Sequence, residues 1–380
     1  MSTKRIYSLL VYLLAMKASI KIGSIAKIPI YLHITFLLIL PFLAWVFASN
    51  PFPLGFGNEP LPLEVKFILG IVTAISLFAC VLLHEIGHSL VALKYGIKIR
   101  SITLFLFGGV SALEELPREP RVELRVSIAG PATSLGLALL FYASNKVFAI
   151  FGSTFATFTL LLALMNLILA AFNILPAFPM DGGRILRAFL ASRISYARAT
   201  RKAALLGKLF AFIFGLFGFL LGDIILLIIA FFIFVGASEE ETTVIAASLL
   251  EGVKVRNIMS ADVFSIPPSI NVSELLEIML KKKYMGYPVV EKGLLLGIVT
   301  FNDVQKISNS QHSSTKVEQI MSRNIVSISP EDDAATALKL MNRYNIGRLI
   351  VKEGNSMVGI ITKTDLIKAL ALLEFLDRRP

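Results

Sequence analysis

The sequence predicts a polytopic α-helical membrane protein of about six transmembrane helices, followed by a soluble α/β pair of repeated modules. Three observations carry this expectation. Hydrophobic residues make up 56% of the 380 positions, and mean hydropathy is +0.75, more than a soluble chain of this length usually holds. Charged residues become dense only after Ser238, so two solvents are implied. In the last third the chain repeats itself without a gap at an offset of 62 residues, Ser265 recurring at Ser327 and Pro268 at Pro330.

The first apolar run, Ile6–Ala15, is too short to span a bilayer. No small-residue cleavage site precedes the next lysines, so residues 1–19 read as an N-terminal extension lying at the surface, unless Met16 is the true start. Apolar spans follow at Ile30–Ala48, Phe67–Leu93, Val126–Tyr142, Phe155–Leu175, Ala203–Leu220 and Ile224–Val235. Only a tight turn, Leu221-Gly222-Asp223, precedes the last of them. Residues 182–202 carry Arg184, Arg187, Arg193, Arg198, Arg201 and Lys202 with no acid, whereas residues 47–65 carry Glu59 and Glu64 with no Lys or Arg. Positive loops stay inside, so the former is expected in the cytoplasm and the latter outside. An even span count then leaves both termini of a multi-pass cell-membrane protein in the cytoplasm.

A net charge of +11 could suit nucleic acid, but the basic residues cluster beside apolar spans and not on one soluble face. Membrane topology accounts for them, and no nucleic-acid partner is expected. The single cysteine, Cys80, excludes an intrachain disulfide and reads as a buried apolar thiol, though its place four residues before His84 could make it a ligand.

Chemistry enters at His84-Glu85-Ile86-Gly87-His88, which continues the uncharged run Phe67–Leu83. On a helix, His84 and His88 project from one face and can bind one Zn²⁺, and Glu85 beside them can take a proton from water at the metal. Ionisable residues at membrane depth are costly and usually functional. A hydrolytic zinc site normally has three protein ligands and one open position. The other histidines are His33 in the first span and His312 in the tail, so a carboxylate is the better third ligand. The stretch Asn173-Ile174-Leu175-Pro176-Ala177-Phe178-Pro179-Met180-Asp181-Gly182-Gly183 supplies one where the fourth span ends. Its prolines break the helix and its glycines permit a tight turn, so Asp181 is expected on irregular backbone. The alternative for Asp181 is N-cap of the basic helix that follows, and both roles can coexist.

Together these two motifs, with Gly108-Gly109 and Gly130-Pro131 between them, resemble the site-2 protease family of zinc enzymes that cut transmembrane segments of other proteins. The resemblance covers about Ile20–Gly236, and residues 20–237 are the expected transmembrane protease domain. It implies zinc ligation by His84, His88 and Asp181, one Zn²⁺ per chain, general-base action by Glu85, and contact of Asn173 with the substrate carbonyl or its oxyanion. It also implies a transmembrane protein substrate met within the lipid bilayer. A helical substrate must unwind before a peptide bond is accessible, and Ser101–Val110 could form a strand whose edge receives it, or a connector that shields the cavity. Glu114 and Glu115 beyond it are expected in solvent. Asn166, seven residues before Asn173, is expected to make an interhelical hydrogen bond.

After a linker at residues 238–252, the repeat places Gly297-Ile298-Val299-Thr300-Phe301-Asn302-Asp303 over Gly359-Ile360-Ile361-Thr362-Lys363-Thr364-Asp365. Each copy reads as strand, helix, two Val- or Ile-rich strands, then helix. Residues 253–308 and 315–372 resemble CBS domains, whose tandem pairs often bind adenine nucleotides. That resemblance implies ribose and phosphate contacts by Thr300, Asp303, Thr362 and Asp365, an ATP, ADP or AMP effector, and a homodimer through the pair. The same Thr and Asp residues can equally cap the final helix of each copy. The rival classes are a CBS-regulated transporter or channel and a non-catalytic membrane scaffold. Neither needs a carboxylate on a glycine turn opposite an H-E-x-x-H helix.

Overall fold

A computed structural model describes residues 19–26, 28–105, 108–113 and 118–377. The expectations for Ile6–Ala15, Met16, Glu114 and Glu115 fall outside those residues. The chain divides between Glu241 and Thr242 into two compact units.

Among the described residues the first unit holds strands β1 (Ser19–Ile25) and β2 (Ile28–His33), then helices α1 (Thr35–Ser49) and α2 (Leu63–Lys94). Strands β3 (Ile99–Phe105) and β4 (Gly108–Leu113) form a hairpin, and helices α3 (Pro120–Phe148), α4 (Ser153–Ile174), α5 (Asp181–Ala191), α6 (Tyr196–Leu221) and α7 (Ile224–Leu249) follow. Helix ends obey local chemistry. Pro120 starts α3, where a missing N–H costs nothing. Left-handed Gly222 stops α6, and Asp223 then caps α7 by accepting from Ile225 N (2.9 Å).

Among the described residues four helices are long and apolar enough to cross a membrane: α2, α3 with the turn after it, α4 and α6. The apolar part of α1, Leu38–Ser49, is shorter, and that of α7 ends at Glu239-Glu240-Glu241. The expected first span Ile30–Ala48 needs correcting at its start, because Ile28–His33 is strand β2. Alternating Ile and Leu with Tyr suits a pleated strand as well as a span. Ala203, Ala204 and Ala211 of α6 and Ala230 and Ala237 of α7 are buried, whereas Phe212, Phe219 and Phe231 are exposed. Small residues inside and large apolar ones outside is the arrangement lipid favours.

The four strands form one sheet in the order β1-β2-β3-β4, with β2 and β3 parallel and the outer pairs antiparallel. The described residues of Ser101–Val110 therefore lie in the antiparallel strands β3 and β4. Strand β4 is an edge of this sheet and lies along α2.

In the second unit, α8 (Val272–Lys282) precedes strands β5 (Gly286–Glu291) and β6 (Leu294–Thr300). The second copy holds β7 (Ser327–Ile328), α9 (Ala334–Arg343), β8 (Arg348–Glu353), β9 (Ser356–Thr362) and α10 (Lys363–Asp377). The copies interlock. Ser260, at the start of the first copy, bridges Ile360 of the second, and Ser322, at the start of the second, bridges Ile298 of the first. Val255 and Leu250 are buried in the core built from the second copy, while Val317 and Met321 are buried in the core of the first. The repeating unit along the chain is thus not the packing unit.

Candidate metal centre

His84 and His88 leave one face of α2, and both are buried. Their Nε2 atoms stand 3.2 Å apart. Asp181, the first residue of α5, brings Oδ2 to 3.3 Å from His84 Nε2 and 3.0 Å from His88 Nε2. Among the described residues this is the one group of three His, Cys, Asp or Glu side chains whose ligand atoms converge in this way. Cys80 is buried and free and is not part of it.

The donor set fits a tetrahedral cation. Ligand atoms bound to zinc at about 2.0–2.1 Å lie roughly 3.3 Å from one another, close to the three separations found. The protonation pattern agrees. His88 Nδ1 donates to the Val126 carbonyl (2.7 Å), which can only accept, so in neutral His88 the Nε2 atom is a bare lone pair facing a carboxylate oxygen. His84 Nδ1 is likewise engaged by Ser134 Oγ at 2.8 Å, leaving Nε2 for the centre. A cation reconciles these lone pairs.

Two glycines make the approach geometrically feasible. A Cβ on Gly130 of α3 would stand 2.1 Å from His88 Nε2 and 2.6 Å from His84 Nε2, so any side chain there would fill the centre itself. At Gly182 a Cβ would meet the carbonyl oxygens of Leu175 and Ile174 at 2.1 and 2.2 Å. Its absence lets the turn after α4 fold back and present Asp181. The N-cap of α5 is Met180, with no side-chain cap bond, so the Asp181 carboxylate faces the histidines and does not cap the helix.

Glu85 follows His84 on α2 and is half-buried. Asn173 lies one residue from the end of α4, half-buried, with Nδ2 donating to Leu169 O (2.9 Å); no hydrogen bond joins it to the three-residue cluster. Asn166 Nδ2 likewise bonds within its own helix, to Leu162 O at 2.8 Å, and its side chain also meets the Cys80 thiol of α2, the interhelical hydrogen bond expected for it.

Sequence reasoning missed the residues behind the histidines. Ser134 and Val126 approach from 50 and 38 residues away, and nothing local marks them. It also misplaced Arg187 among loop charges. Arg187 is buried in α5, donating through Nε to Glu123 Oε1 (2.8 Å) and through Nη1 to Glu240 Oε1 (2.5 Å). Glu123, in the first turn of α3 between Arg121 and Arg125, carries no local mark that pairs it with Arg187.

In the tail, Thr300 and Asp303 form a capping box: Asp303 Oδ2 accepts from Thr300 N (3.0 Å) and Oγ1 (2.7 Å). Thr362 and Asp365 repeat it at 2.9 and 2.7 Å. The helix-capping role expected for these residues is therefore present in both copies. The copies differ at one register position. Gly286 of β5 corresponds to Arg348 of β8, and the Arg348 guanidinium lies where a Cβ on Gly286 would be, 2.2 Å from Nη1. Burial pushes the Arg348 guanidinium pKa down, and it makes no ion pair among the described residues.

The model of peptidase family M50 matches residues 72–151 and 147–214, and that of the CBS domain matches 255–309 and 317–372. Zinc metalloprotease MJ0392 of Methanocaldococcus jannaschii is 39% identical over 94% of this chain and 98% of its own length. A putative zinc metalloprotease, Rip3 of Mycobacterium tuberculosis, is 32% identical over 96% of each. Among solved structures, a site-2 protease from Methanocaldococcus jannaschii is 41% identical, covering 59% of this chain and 95% of that one, with a TM-score of 0.44. The fold and centre define a membrane zinc metalloprotease with a tandem CBS tail. This chain belongs to peptidase family M50, the site-2 proteases.

Proposed function

We propose that the chain cleaves peptide bonds within transmembrane segments of other membrane proteins, at a zinc ion held by His84, His88 and Asp181. The observation that carries this reading is the meeting of two imidazole Nε2 atoms and one carboxylate oxygen within 3.0–3.3 Å on helices of a membrane-spanning unit. When bound, zinc supplies a Lewis acid that polarises a carbonyl and acidifies water. Glu85 accepts the proton of the attacking water and passes it to the leaving amide nitrogen. The side-chain amide of Asn173 has a second N–H beyond the one given to Leu169, and that donor serves the oxyanion. The edge of β4 offers main-chain groups to an unwound substrate, which supports strand addition beside α2.

For the tail, the reading is regulation by an adenine nucleotide, with a homodimer through the pair. A half-buried guanidinium at Arg348 without an ion-pair partner among the described residues suits a phosphate, and Thr300, Asp303, Thr362 and Asp365 stand at the ends of β6 and β9 to take ribose or phosphate. The charge asymmetry of the loops supports cytoplasmic termini.

Reconstitution in vesicles with a single-span test substrate tests the main claim. Cleavage that a chelator abolishes and zinc restores is expected, and absence of cleavage by the zinc-loaded chain across a panel of spans would count against it. Calorimetry of the full chain with ATP, ADP and AMP tests the second. Binding that Arg348→Ala weakens is expected, and no heat at millimolar nucleotide would remove the sensor role.

A further inference from the structure

We infer that Arg187 is a positioning residue for the metal centre, its ion pair with Glu123 tying the helix that begins at Asp181 to the helix that orients His88. The inference rests on the metal reading proposed above. Both partners are deeply buried, Arg187 at 3% and Glu123 at 0% exposure. Arg187 grips one oxygen twice, Nε to Glu123 Oε1 at 2.8 Å and Nη2 to the same atom at 2.5 Å. Its guanidinium lies over the rings of Phe178 and Tyr196, 4.8 Å from each centroid, so the fork has little freedom to tilt.

What makes the pair a device for the centre is where each partner sits. Arg187 is on α5, a single unbroken helix whose first residue is Asp181. Glu123 is one turn before Val126 on α3, and the Val126 carbonyl is what holds the His88 ring by Nδ1. One ion pair thus fixes the distance between the element that delivers the carboxylate ligand and the element that aims an imidazole ligand. Ligand atoms must be held to about half an ångström for a metal site to keep its affinity. The outer arm, Arg187 Nη1 to Glu240 Oε1, ties α5 to α7, which carries no ligand.

The test measures the zinc dissociation constant of the purified full chain by chelator competition, alongside its thermal midpoint. Glu123→Gln and Arg187→Met should weaken zinc about 10- to 100-fold, the range for partners that orient metal ligands, and Arg187→Lys should recover part of that loss. Leu161→Ala, a core truncation within the α1–α2–α4 cluster, should lower the midpoint while leaving zinc affinity within about twofold. If Arg187→Met fails to fold, Glu123→Gln carries the test, since it keeps a hydrogen-bonding side chain of the same shape. Wild-type zinc affinity in Glu123→Gln would overturn the inference, as would an equal loss in Leu161→Ala or Glu240→Gln. A wild-type chain that binds no zinc would instead overturn the metal reading itself.

Discussion

Asp181 opens α5 of the membrane unit, and Asp303 and Asp365 stand in the first turns of the helices that follow β6 and β9, yet only the latter two turn their carboxylates onto their own chain. In the tail the carboxylate satisfies an orphan backbone N–H and the hydroxyl of its own cap residue, which is what an acid at a helix start ordinarily does. In the membrane unit the equivalent helix start has no side-chain cap, and the carboxylate crosses to two imidazoles on α2. A carboxylate withheld from its own helix and aimed at lone pairs marks a place where local stability has been given up for a site. Changes around Asp181 should therefore act on chemistry and metal, and changes at the tail motifs on module stability first.

The largest effect should come from Glu85→Gln. Cleavage of a membrane-spanning substrate should fall roughly 100- to 10,000-fold with zinc retained, because the side chain moves protons and does not ligate. Unchanged turnover in a reconstituted assay would break the contrast on the membrane side. Asn173→Ala comes next, with turnover reduced roughly 100-fold and little change in substrate affinity, as for loss of one oxyanion donor. A rise in KM at constant kcat would assign Asn173 to ground-state binding instead.

A smaller change is expected at Ser134→Ala, which frees the His84 ring to turn. Zinc affinity measured by chelator competition should weaken about 10-fold, and unchanged affinity would mean that the helix alone fixes the ring. The smallest effect sharpens the tail side of the contrast. Thr300→Ala should cost the module about 1 kcal/mol through loss of its cap, read as a lower midpoint of tail unfolding. No loss of stability would show that the capping box is redundant there.

Much of the centre was legible because its three ligating types lie in two short motifs with their own local geometry. His84 and His88 share a helix face by spacing alone, and the prolines and glycines around Asp181 announce a turn. The α/β repeat was equally plain from Gly297 to Asp303 recurring at Gly359 to Asp365. What was not legible depends on distant partners. The pairing of β2 with β3 escaped because Ile30–His33 reads as the start of an apolar span, and the parallel partner β3 comes only after α1 and α2. The exchange of leading segments between the tail modules leaves no mark in a gapless repeat. Arg187 looked like a loop charge because its acids are 64 and 53 residues away.

Asp181 is the ligand on which the metal centre stands or falls. Zinc content of the purified wild-type and Asp181→Ala chains, measured after dialysis against a weak chelator with folding checked by thermal melting, tests this directly. About one zinc per chain in the wild type and near none in a folded Asp181→Ala is the predicted result. Stoichiometric zinc in folded Asp181→Ala would contradict it.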